Sequence, residues 1–265
     1  MHGKTVLITG STDSRSLGWT AAKLLATGDY GFSHIILSGR RDESGQQAAQ
    51  ELRGSLPQEC QITISALTLD VTDSESIQNA VALLVSTDGL LGAFGGRLDV
   101  LVNNAGIGVP PNRVDASEGG MFLPTEKTTA ADVMTIMNTN VAAVVELTNA
   151  LLPLLAKSNA PRVINVSSAR GSLTFESGLP SERTGGLVYN ASKAALNMVT
   201  VMQSKNLPAF VTNLKVNAAT PGHTKTPCCR MGTYIDLLAG TRTLEEGAGV
   251  IVHLATLADD GPSES

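Results

Sequence analysis

The sequence predicts an α/β fold, a doubly wound parallel sheet with helices on both faces, in one domain. Three observations predict it. Short apolar runs alternate with longer segments of helical periodicity along the whole chain, the pattern of parallel strands joined by right-handed crossovers. The runs are nearly continuous in Val, Ile and Leu, as strands buried on both faces are. Hydrophobic residues make up 42% of the 265 residues but aromatics only 3%, so the interior is built of small aliphatic side chains. No linker, internal repeat or low-complexity tract divides the chain.

Taken in order, Thr5 to Thr9 is an apolar strand ending at Gly10, followed by a loop and a helix from Leu17 to Thr27. His34 to Ser38 is the second strand, and Glu43 to Leu56 a helix ended by Pro57. Ile62 to Leu69 is the third strand, ending at Asp70; Asp73 is placed to cap the helix that runs to Ser86. Leu98 to Val102 is the fourth strand. The Gly- and Pro-rich stretch from Ile107 to Lys127 reads as a surface excursion. Helical spacing then runs from Ala130 to Leu155, with Pro153 expected to bend it late. Arg162 to Val166 is the fifth strand, Ser167 to Gly186 a loop, and a helix carries Tyr189. Val211 to Val216 reads as the sixth strand, Thr220 to Arg242 as an irregular segment, and Glu245 to Leu257 as the last helix.

Composition excludes several functions. The net charge is −5 with no basic block, which argues against a nucleic-acid or anionic-membrane partner. The cysteines Cys60, Cys228 and Cys229 lack disulfide and metal-ligand spacing and read as free thiols of a reducing compartment. No metal set is expected. The N-terminus enters an apolar strand without a signal-peptide pattern, and no apolar run is long enough for a membrane span. Together these predict a cytoplasmic protein.

Chemistry concentrates in Tyr189-Asn190-Ala191-Ser192-Lys193. A tyrosine and a lysine four apart share one helix face. A nearby ammonium favours the phenolate, which makes the tyrosine a usable acid or base near neutrality. The first loop, Gly10-Ser11-Thr12-Asp13-Ser14-Arg15-Ser16-Leu17-Gly18, places small residues between a strand and a helix N-terminus, where backbone N–H groups can meet a pyrophosphate. At the second strand's end, Gly39 stands where an NAD enzyme carries an acid; Arg40 and Arg41 follow, with Arg15 in the first loop. Such cations suit a ribose 2′-phosphate.

In these motifs the chain resembles the short-chain dehydrogenase/reductase family over nearly its whole length. The shared features are Thr9-Gly10, Asp70-Val71, Asn103-Asn104-Ala105-Gly106, Asn140, Ser167-Ser168, Tyr189-x-x-x-Lys193 and Pro221-Gly222. The resemblance implies a Rossmann-like fold with a seven-stranded parallel sheet, of which six strands are placed above. It also implies NADP(H) as cofactor and hydride transfer to or from a carbonyl or alcohol carbon of a medium-sized small molecule, a secondary-metabolite intermediate among the candidates. Under it, Tyr189 is the general acid in reduction. Lys193 lowers its pKa and binds the nicotinamide ribose. Ser168, three before Gly171, holds the substrate oxygen, and Asn140 anchors a proton-relay water. The cofactor would lie on Gly10, Ser11, Arg15, Ser16, Leu17 and Gly18, on Arg40, on Asp70 and Val71 at the adenine, and on Asn104, Ala105 and Gly106. Pro221, Gly222, Thr224 and Thr226 would close over it. His223 reads as substrate wall, as do Cys228 and Cys229. A homodimer or homotetramer is what the family implies.

The chain also departs from the family. Gly10 and Gly18 stand two residues further apart than usual, with Ser16 in the middle glycine's place. Arg15-Ser16-Leu17 resembles the loop of enoyl-thioester reductases, whose tyrosine and lysine are seven apart; Gly186 stands at that position here. Enoyl or imine reduction, or a non-redox isomerase or cyclase on the same scaffold, is therefore the alternative. The excess Leu173 to Gly186, the segment Thr220 to Arg242 and the excursion Val109 to Phe122 are expected to shape the substrate pocket. Residues 257–265 resemble the turn before the family's last strand, so a sheet edge that is exposed or differently covered is expected.

Overall fold

The computed structural model describes residues 3–113, 123–180, 185–224, 226 and 241–263. The apolar runs become β1 (Lys4–Thr9), β2 (Phe32–Gly39), β3 (Thr63–Thr68), β4 (Val100–Asn103), β5 (Arg162–Val166) and β6 (Lys215–Ala219). All pair in parallel, in the order β3-β2-β1-β4-β5-β6, so the order reverses between β1 and β4. Ligand crevices form at such a reversal, beyond the C-terminal strand ends.

The period of two sends alternate strand residues to opposite faces. Val6, Ile8, Ile35, Leu37 and Val102 join one core cluster with α1 (Leu17–Thr27), α2 (Asp42–Ser55) and the C-terminal helix Leu244–Ala255. Leu7, Ile36, Leu101 and Val163 join the other, with α3 (Ser74–Val85) and the helix through Leu147 and Leu151. Ser16 caps α1 by accepting the Trp19 N–H, and Asp73 caps α3 by accepting that of Glu75, as its sequence position predicts.

The helix expected from Ala130 to Leu155 keeps those bounds: α4 (Ala130–Met137) passes through a π-helical turn, Asn138–Ala142, into α5 (Ala143–Leu155), which contains Pro153. The wider turn presents Asn140 to backbone groups outside its own helix. The loop from Ser167 to Gly186 contains a 3₁₀ turn, Ala169–Gly171, and a short helix, α6 (Leu173–Ser177), before α7 (Leu187–Asn206). The sixth strand starts at Lys215 rather than Val211. Asn213 adopts φ 61°, incompatible with a strand, and Val211 and Leu214 are buried loop anchors. Apolar content alone misread them.

The sheet edge is not bare. Beyond α8 (Leu244–Ala255), buried Arg162 pairs with Asp259 at 2.9 Å. The Ser263 hydroxyl accepts from Val216 N (3.2 Å) and donates to its carbonyl (3.3 Å), while Asn217 Nδ2 donates to Pro262 O (3.2 Å). Lys215 Nζ donates to Gly261 O. Residues 261–263 therefore lie along β6 and cover part of that edge.

Candidate active site

A cavity of about 830 Å³ opens over the C-terminal ends of the strands. One end is walled by Gly39, Arg40, Asp70 and Val71, the far end by Tyr189 and Lys193. Between them lie Gly10, Ser16 and Leu17 of the first loop and Asn104, Ala105 and Gly106 after β4; Pro221, Thr224 and Thr226 form the roof.

The middle is held by close backbone approach. Gly10 has φ +63°, and a Cβ there would lie 2.9 Å from Ala105 Cα. Thr9 Oγ1 accepts from the N–H groups of Asn104 and Ala105, both at 2.9 Å. The Asn104 amide returns to Thr9 O (2.8 Å) and Gly10 O (3.0 Å). Asn103 does not reach the cavity; it ties strand to strand, donating to Asn165 Oδ1 at 2.9 Å.

At the Arg40 end, a Cβ on Gly39 would approach Thr12 Oγ1 to 2.6 Å, so a larger side chain there would require the Thr12 side chain to move. Asp70 Oδ1 accepts from Thr72 N (2.9 Å) and Thr72 Oγ1 (2.7 Å), which orients the carboxylate. Arg40 is exposed and faces the cavity. Arg15 does not line it. Its guanidinium grips Asp13 by two bonds, at 3.0 and 2.9 Å. That hydrogen bonding holds the Asp13 carboxyl below its ordinary pKa, and the same contact raises that of Arg15. Asp13 does line the cavity, so Arg15 offsets a negative charge on its wall.

The catalytic end is built on α7 and the π turn. Gly186, at φ +81°, precedes α7 and lets the chain turn into it. Lys193 is buried; its ammonium donates to Val166 O at 2.8 Å and lies 5.7 Å from the Tyr189 ring centroid. Asn140 is buried and its side-chain amide is held at both ends: Oδ1 accepts from Ile107 N, and Nδ2 donates to Ile107 O and Ser192 Oγ, each at 2.9 Å. Ser192 donates in turn to Tyr189 O at 2.7 Å. A chain of hydrogen bonds thus runs from the end of β4 through the π turn to the backbone of Tyr189.

Other predicted residues sit behind the wall. Ser11 is fully buried and braces β1 to β2, donating to Ile8 O and accepting from Ser38 N. Gly18 packs under Asn104, where a Cβ would come within 2.6 Å of Nδ2. Gly222, at φ +78°, packs against Arg242, which reaches back to His223 O and Pro221 O. Ser168 is half-buried and accepts from Arg170 N at 3.2 Å. Its neighbour Ser167, at the end of β5, donates to Asn197 Oδ1 at 2.6 Å and lines the cavity.

Sequence reasoning missed one wall. Met134, Thr135, Asn138 and Thr139 face the cavity from α4 and the π turn. Their i, i+4 pairing was the available signal. Cys228, Cys229, Met231 and Tyr234, with most of the predicted lid and the tip of the excursion after Val109, lie outside the described residues.

A long cleft over the strand reversal, ending at a tyrosine–lysine pair, is what a dinucleotide-dependent oxidoreductase requires. Residues 4–231 match the family described as short chain dehydrogenase, and the chain belongs to that family. Salutaridine reductase of Papaver somniferum is 28% identical, with 98% of this chain and 92% of that protein aligned. (−)-Isopiperitenone reductase of Mentha piperita is 30% identical over 97% of this chain and 93% of its own. The solved structure of NADPH-bound carbonyl reductase from chicken fatty liver superposes with a TM-score of 0.74 at 26% identity, covering 98% of this chain and 94% of that one.

Proposed function

We propose that this chain is an NADPH-dependent carbonyl reductase whose substrate is a medium-sized ketone or aldehyde of secondary metabolism. The observation that carries this reading is a single cavity with an exposed arginine, Arg40, at one end and Tyr189 with Lys193 at the other. The fit to NADP(H) rests on the chain's own chemistry. Gly39 offers no ribose-binding acid, Arg40 supplies a cation suited to a 2′-phosphate, and the first turn of α1 carries no acid to repel a pyrophosphate. Asp70 and Val71 hold the adenine side; Ser16 and Leu17 border the phosphates; Thr224 and Thr226 roof the far end. The relatives, named salutaridine reductase and (−)-isopiperitenone reductase, support reduction of a small molecule of secondary metabolism.

When bound, NADPH supplies the hydride. Tyr189 gives its phenolic proton to the substrate oxygen, and the Lys193 ammonium favours the phenolate left behind. Ser168, set just outside the lining beside Ser167, would turn its hydroxyl toward the same oxygen once substrate is bound, and Asn140 anchors the water that restores the proton. Holding these groups on packed elements removes the cost of organising them during the reaction. No helix among the described residues is long and apolar enough to cross a membrane. The reading places a homodimer or homotetramer in the cytoplasm.

The first experiment is a fluorescence titration with NADPH and NADH, on the wild type and on Arg40→Ala. The expected result is preferential NADPH binding that weakens about tenfold in the variant, as loss of one charge-assisted contact predicts, with NADH binding unchanged. Failure to bind either nucleotide would remove the cofactor assignment and bring a non-redox reaction forward.

A further inference from the structure

Helix α6 inverts the usual rule for a surface helix. It has five residues, too few to be stable alone, and none of its apolar side chains is buried. Leu173 is 81% and Phe175 43% exposed. What faces inward is a carboxylate. Glu176 accepts from Arg170 Nη1 at 3.3 and 3.4 Å and from Asn190 Nδ2 at 2.8 Å. Its side chain and that of Arg170 are only 17% and 16% exposed, so the pair is largely withdrawn from water.

The two partners of Glu176 come from the two catalytic segments. Arg170 belongs to the 3₁₀ turn whose first N–H groups are capped by Ser168. Asn190 follows Tyr189 in the first turn of α7, and its amide also donates to Gly185 O at 3.1 Å. One carboxylate therefore bridges the turn that carries Ser168 and the turn that carries Tyr189. Desolvating such a pair offsets most of its Coulomb gain, so its effect is on arrangement more than on stability.

We propose that Glu176 is a positioning residue for carbonyl reduction: through Arg170 and Asn190 it sets the separation of the Ser168 and Tyr189 hydroxyls that share the substrate oxygen. This rests on the reductase reading above. The residues following Ser168 that exceed the family's usual length thus do more than wall a pocket; they clamp the catalytic end.

The test follows NADPH oxidation with menadione and a panel of aromatic ketones and aldehydes, beside NADPH affinity by fluorescence. The enzymes are wild type, Asn190→Ala, Glu176→Ala, Glu176→Gln and the double variant E176A/N190A. Asn190→Ala leaves the Arg170 ion pair whole and cuts only the link to α7, so it guards against a variant that fails to fold. The expected result is a fall in kcat of about tenfold in Asn190→Ala, in keeping with a small misplacement of reacting groups, with NADPH affinity unchanged. The double variant should be no worse than Glu176→Ala, because both substitutions break one connection. Glu176→Gln, which keeps an acceptor for Asn190, should recover part of the loss. Unchanged kcat in both single variants, or losses that multiply independently, would overturn the proposal while leaving the reductase reading intact. A wild type that reduces none of the carbonyls would overturn both.

Discussion

The two ends of the cavity are built on opposite principles. At the catalytic end Lys193, Asn140 and Ser192 are 6%, 1% and 0% exposed, and each is hydrogen-bonded to backbone or to another of the three. At the adenosine end Arg40 is exposed, and the Arg15 side chain is 75% exposed in its pair with Asp13. Proton transfer needs fixed distances, which packed elements supply. Charge recognition tolerates loose geometry and works across water, so it can ride on loops, at the cost of sensitivity to salt.

The largest effect that would break this comparison is at the rigid end. Tyr189→Phe should lower kcat about a thousandfold, the scale of a lost general acid, while NADPH affinity stays within about twofold. Steady-state kinetics with a parallel binding titration checks it; a variant that still turns over would show that the proton comes from elsewhere. A smaller effect is expected at the loose end. Arg15→Ala leaves the Asp13 carboxylate uncompensated on the cavity wall, so NADPH affinity should fall about threefold at low salt. The difference should shrink at high salt; a salt-independent loss would mean that Arg15 acts by shaping the loop.

The smallest effect concerns the strands that lead to the loose end. His34 of β2 is 2% exposed and shares a hydrogen bond of 2.9 Å with Ser65 Oγ of β3. Burial pushes its pKa down to about 4. Above the unfolded value of about 6.5 the imidazole is neutral in both states and costs nothing. Between there and about 4 the unfolded chain takes the proton first, so stability falls with falling pH. Thermal unfolding near pH 5 should show a loss of about 2 kcal/mol, several degrees in Tm, relative to pH 7. His34→Asn should flatten that slope, and an unaltered slope would assign it to the carboxylates.

The same contrast explains what was legible in advance. Parallel strands buried on both faces write themselves as apolar runs, so five of the six strands were placed correctly within two residues. Tyr189 and Lys193 were readable because a spacing of four is a statement about one helix face. The start of β6 was misplaced because Val211 and Leu214 are apolar for burial in a loop, and only the left-handed Asn213 reveals it. Arg15 reads as a free cation in the chain, and its partner two residues earlier becomes decisive only once the loop has folded. The Met134–Asn138 wall was missed because cavity-facing and solvent-facing helix residues look alike in sequence.

By itself, then, the sequence determined the architecture, the tyrosine–lysine pair and the glycine in place of an acid at the end of β2, because each depends on local periodicity or residue type. The tertiary structure alone decided which groups meet. It widened one turn of the long helix at Asn138–Ala142, where Asn140 reaches Ile107 and Ser192. It laid residues 261–263 along β6 and brought Glu176 between Arg170 and Asn190. Those contacts join residues distant in the chain or fixed by a loop's course, and their energies depend on burial and distance, which no local pattern encodes.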